Sequence, residues 1–93
     1  MVTRRKGEVT ARMHEREAPH LVEMALPNGA FGLILIEAIY TFHRERGIAI
    51  RRGRRQRRGE QEYVRFCFAD AATADAFQAR FGGKRGSVGN RRG

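Results

Sequence analysis

Residues 51–58 read RRGRRQRR, so Arg51, Arg52, Arg54, Arg55, Arg57 and Arg58 crowd six guanidinium groups into eight positions. A guanidinium stays charged at any physiological pH and presents a planar fork of N–H donors that matches the oxygens of phosphate or carboxylate. Removing even one unpaired cation from water is costly. The six must therefore face solvent or an anion. Phosphate contact is the chemistry this spacing offers, and neutralising six phosphates of duplex DNA would give log K a slope of about −5 against log salt.

The wider charge pattern points the same way. The 93-residue chain has a net charge of +9. Its basic excess lies in residues 1–12, 51–58 and 80–93, while 13–50 and 59–79 are mildly acidic. Cations shown from exposed segments of a neutral-to-acidic body make an electrostatic footprint for a polyanion. Arg4, Arg5, Lys6, Lys84, Arg85, Arg91 and Arg92 are the auxiliary basic residues of that reading. Since phosphate contacts position a protein without reading bases, weak sequence preference is expected. A GC-rich coding bias accounts for the choice of Arg over Lys, but poorly for the clustering.

Other chemistry finds little footing. His14, His20 and His43 lack metal-ligand spacing and have no cysteine partners nearby. Cys67 is the only cysteine, which rules out an intramolecular disulfide, suits a reducing compartment and reads as a half-buried, inert thiol. No carboxylate pair has a reason to converge, and Glu37 lies opposite its helix's apolar stripe. Gly82-Gly83-Lys84 follows a helix rather than preceding one, the wrong setting for a phosphate loop. Neither enzyme activity nor a cofactor nor a metal is expected. MVTRRKGE lacks a signal peptide's apolar stretch, and the apolar region Leu26 to Phe42 is interrupted by Pro27, Asn28, Gly29 and Glu37. The expectation is a cytoplasmic protein.

The elements that must position these groups follow from periodicity. Glu8 to Met13 alternates, with Val9, Ala11 and Met13 on one side, and suggests a short N-terminal strand. Leu21 to Leu26 alternates more clearly and ends at the turn residues Pro27-Asn28-Gly29. Leu35, Ala38, Ile39 and Phe42 mark one stripe of a helix over Ala30 to Arg46, stopped by Gly47. Ile48 and Ile50 begin a second strand leading into the arginines. Tyr63 to Phe68 is a strand with Val64, Phe66 and Phe68 on one face and Tyr63, Arg65 and Cys67 on the other. Asp70 caps a second helix, Ala71 to Phe81.

The expected fold is therefore α+β: a small antiparallel sheet with two helices on one face, βαββα and ferredoxin-like, with an extra N-terminal strand as an option. Its expected organisation is a flexible basic segment 1–7, one domain over 8–82 and a disordered basic tail 83–93. Gly53 and Gly59 place the arginines in a flexible hairpin loop, 51–59.

The stretch YVRFCFADAATADAFQARFGG resembles the third strand and second helix of an RNA-recognition motif, through Tyr63, Val64, Arg65 and Phe66. The resemblance implies that Tyr63 stacks on a base from an open sheet face, although Gln61 stands where a second stacking aromatic belongs. The aromatic strand, Phe-Ala-Asp turn and Phe-Gly-Gly ending are also similar to small bacterial α+β proteins of unknown function, a resemblance that implies no activity. RRGRRQRR itself resembles arginine-rich peptides that bind structured RNA.

Two functions lead, with attachment to an anionic membrane surface a third and weaker option. The first is nucleic-acid binding, RNA favoured over DNA, through the six arginines with Tyr63 and Arg65 as a stacking and cation platform. The second is a small oligomeric interaction module, homodimeric or docking an acidic protein. Its surface would be the apolar flank Leu33, Ile36 and Tyr40, which widens the first helix beyond its core stripe.

Overall fold

A computed structural model of the chain describes residues 5–26 and 31–87. In chain order these form α1 (Arg5–Glu17), β1 (His20–Leu26), α2 (Leu33–Glu45), β2 (Gln56–Arg58), β3 (Gln61–Phe68), α3 (Ala71–Phe81) and β4 (Lys84–Ser87). The architecture is α+β. The strands make one antiparallel sheet in the order β2-β3-β1-β4. Pairing of β1 with β3 sets Val22 opposite Phe66 and Met24 opposite Val64, so their shared period of two aligns one apolar face. Ile39 and Phe42 of α2 and Ala74 and Phe77 of α3 pack on that face, together with Leu26 and Phe68.

The ends of the helices follow local chemistry. The Asp70 carboxylate accepts a 2.9 Å hydrogen bond from the Thr73 amide, the N-cap that the sequence predicts for α3. At the end of α2, Gly47 takes φ 65°, a left-handed turn that a side chain would oppose, and its amide donates to the Arg44 carbonyl.

Four expectations are corrected. Glu8 to Met13 is helical, not a strand, and lies inside α1. The face α1 turns inward is Ala11, His14 and Glu15, followed by the buried Ala18 just past its end; this face is mostly polar, so apolar periodicity does not reveal it. Lys84–Ser87, expected within a disordered tail, pairs with β1 as the edge strand β4. The arginines do not form a hairpin loop: the turn between β2 and β3 is Gly59-Glu60, and residues 51–58 run back along β3. Ile48 and Ile50 precede that pairing and are not in a strand.

His43 sits in the core at 2 % exposure, stacked on Phe68 with ring centroids 5.5 Å apart. Its Nδ1 donates to the Ile39 carbonyl at 2.8 Å, while Nε2 has no partner. Burial holds its pKa below the ordinary 6.5; the Ile39 bond opposes this and nearby Arg46 adds to it. The unfolded chain thus takes up the proton first. Stability should be level above about pH 6.5 and fall below it, by at most about 1.4 kcal/mol per pH unit. Urea unfolding of the wild type and of His43→Phe between pH 7.5 and 5 checks this. The slope is expected in the wild type and reduced in the variant.

Candidate functional site

The arginine segment forms an outer rim on β3. The Gly53 amide donates to the Arg65 carbonyl at 2.9 Å and the Cys67 amide to the Arg51 carbonyl at 2.8 Å, with Arg52 opposite Phe66. Antiparallel pairing sends alternate side chains to opposite faces. This brings the cations within reach of carboxylates far away in the sequence.

Glu15 is the deepest of these, 2 % exposed at the inner face of α1. Its Oε2 accepts from the Arg54 amide at 2.7 Å and from Arg65 Nη1 at 3.2 Å. Its Oε1 accepts from Arg54 Nη2 at 3.2 Å and Nε at 3.3 Å. Burial pushes this carboxyl's pKa up, but the Arg54 amide and the two guanidiniums outweigh it and hold the group below its usual value. A Cβ on Gly53 would land on the Glu15 carboxylate. That close approach, rather than flexibility, is the reason for glycine at position 53.

The network continues on the Arg65 face of the sheet through Glu23 and on the opposite face through Glu62. Arg65 Nε donates to Glu23 Oε2 at 3.4 Å, and Arg58 ion-pairs with the other Glu23 oxygen. Arg57 and Arg55 share Glu62, at 2.8 and 3.3 Å. The Arg58 guanidinium lies 4.3 Å from the centroid of Tyr63, so the ring assigned to base stacking already carries a cation from its own chain. Four of the six arginines, with Arg65, are thus folded onto Glu15, Glu23 and Glu62. Arg51 and Arg52 form no ion pair with another described residue.

The auxiliary basic residues do not gather around this rim. Arg85 pairs with Asp75 at 2.8 Å and sits with Lys84 on β4, at the opposite sheet edge from β2. Arg5 and Lys6 open α1, and Arg4, Arg91 and Arg92 lie outside the described residues. Cys67 is buried with Ala18 and Leu21, and burial, helped by the Glu15 charge, pushes its thiol up to about 12. It therefore stays protonated and inert. Among the described residues no three of His, Cys, Asp and Glu converge as a metal site would require. No described helix is long and apolar enough to cross a membrane.

Beside the arginine rim lies an open groove of about 1330 Å³ between α1 and α2. Phe31, Ile36, Ile39, Ile48, Ile50 and Phe66 line its apolar part, and Arg44, Arg52, Arg54 and Arg55 its polar side. His14 helps form it, with Nδ1 donating to the Arg52 carbonyl at 3.0 Å. Of the flank singled out in the sequence, Ile36 and the half-exposed Tyr40 line this groove, whereas Leu33 is 76 % exposed and is not part of the lining. The groove is not legible in the sequence, because the residues of its α1 wall alternate as a strand would.

Removing Glu15 should cost far more than removing a surface partner. Glu15→Ala is expected to destabilise by about 3 kcal/mol, because it strands charges built around a buried carboxylate. Gly53→Ala is expected to cost about 1–3 kcal/mol through overpacking, and Arg55→Ala or Arg57→Ala less than about 1 kcal/mol. Urea titration at pH 7 measures all four.

No family model, no curated protein and no solved structure matches the chain, so the site itself carries the functional reading.

Proposed function

We propose that the chain is a protein-interaction module whose working surface is the groove between α1 and α2 with the adjoining flank of α2. The β-α-β-β-α-β run after α1 and the order β2-β3-β1-β4 support a ferredoxin-like scaffold beneath it. One observation carries the reading. Arg54, Arg55, Arg57 and Arg58 are engaged by the protein's own carboxylates, while the apolar groove beside them is open. A phosphate-gripping loop has no use for an apolar floor, whereas a protein partner does. Leu33 and Ile34, 76 % and 87 % exposed at the start of α2, extend the apolar surface beyond the groove.

Nucleic-acid binding stays as a second reading on one specific ground. Five guanidiniums share three carboxylates, Arg51 and Arg52 add two more charges, and the local excess is positive. It would act mainly through Arg51, Arg52, Arg55 and Arg57, with RNA favoured over DNA.

A photo-crosslinking residue at Tyr40, in host cells, separates the readings. The interaction reading expects a nuclease-resistant protein adduct that Ile36→Asp abolishes and that Arg51→Ser/Arg57→Ser, at two arginines outside the groove lining, leaves in place. An adduct destroyed by nuclease and lost in the double arginine variant would establish the second reading instead.

A further inference from the structure

The composition of the groove narrows the partner's chemistry, and this step rests on the interaction reading above. We infer that the groove takes an amphipathic helix from a different, acidic protein, with apolar side chains on the floor and carboxylates toward Arg44, Arg52 and Arg55.

Size comes first. Drug-sized ligands occupy pockets of roughly 300–1,000 Å³, and this groove, at about 1330 Å³, is larger and open to solvent. Two helices flank it, the geometry that recognises a third helix through residues at i, i+3, i+4 and i+7. The floor is mainly apolar: the side chains of Phe31, Ile36, Ile39, Ile48 and Ile50 offer no hydrogen bond to a polar ligand.

Charge selects the partner. Arg44 and Arg52 are exposed beside the floor without an ion pair to a described residue, and Arg55 shares its carboxylate with Arg57. Carboxylates flanking an apolar stripe would meet these cations in bidentate geometry. A second copy of the chain would bring the same arginines against them and be repelled. Residues 1–4 and 88–93 contain no acid and so carry no carboxylate for these cations.

The experiment titrates full-length protein with three labelled 16-residue peptides, read by fluorescence polarisation. One places leucines at i, i+3, i+4 and i+7 with glutamates on both flanks, the second replaces each glutamate by glutamine, and the third scrambles the first. The acidic amphipathic peptide is expected to bind at least tenfold tighter than either control, with affinity falling as salt rises. Ile36→Asp should weaken it at least tenfold, and Arg44→Ser and Arg52→Ser about threefold each. Tyr40→Asp, at a half-exposed position, repeats the test where Ile36→Asp fails to fold.

A glutamine peptide that binds equally well, yet still loses binding in Ile36→Asp, overturns the acidic assignment and leaves the groove as an interaction surface. A scrambled peptide that binds equally well, or binding that survives both Ile36→Asp and Tyr40→Asp, shows a charge-only surface of the kind RNA or anionic vesicles would use, and overturns both. No binding of any peptide at 100 µM overturns the helix assignment.

Discussion

The structure depends on one buried carboxylate. Glu15 reaches from α1 into a position where it can be ionised only if cations and an amide are brought to it, since burial alone would drive the charge out. Arg54 supplies an amide and a guanidinium, and Arg65 a second guanidinium. That requirement fixes residues 51–54 along β3, demands glycine at 53 and pins α1 against the sheet edge. Arg65 then links Glu15 to Glu23, and Glu23 to Arg58, so one ion-pair chain runs from α1 across β3 and β1 to β2.

The groove follows from the same constraint. With α1 held at His14, Glu15 and Ala18, its earlier turn overhangs the space beside α2, and Thr10 and Ala11 become part of a wall. The arginine segment forms the opposite margin. Its cations are thus structural on the face where they meet Glu15 and Glu23, and available on the face where Arg52 borders the apolar floor. Arg54 reaches Glu15 and Arg58 reaches Glu23 while Arg52 borders the groove, so one run of arginines serves both purposes. Exposed pairs such as Arg55 and Arg57 with Glu62 are weak and can exchange partners, unlike the pairs on Glu15.

Much of the sheet and its two covering helices was legible in the sequence. Asp70 as cap, Gly47 as stop and the faces of Leu21 to Leu26 and Tyr63 to Phe68 are set by local rules, and the structure keeps them. The site was less legible, because its determining contacts are distant: Glu15 lies 39 residues from Arg54 and 50 from Arg65. Helix α1 escaped notice because two of its inward residues, His14 and Glu15, are titratable. Even so, the sequence held a clue. The acidic excess of 13–50 and 59–79 lay in the segments that fold, and those segments supply Glu15, Glu23 and Glu62. Cations with unclaimed carboxylates nearby in the fold need no external anion.

The Arg54 amide tests this account most directly, because its hydrogen is held by the Glu15 carboxylate buried beneath it and senses the charge there. Amide exchange followed by NMR at neutral pH should find that proton protected to the level of the β3 core, with a resonance that titrates as Glu15 gains its proton, below the ordinary glutamate pKa of 4.5. Exchange at the rate of an unstructured chain, with no titration, would mean that Glu15 does not organise the arginine segment.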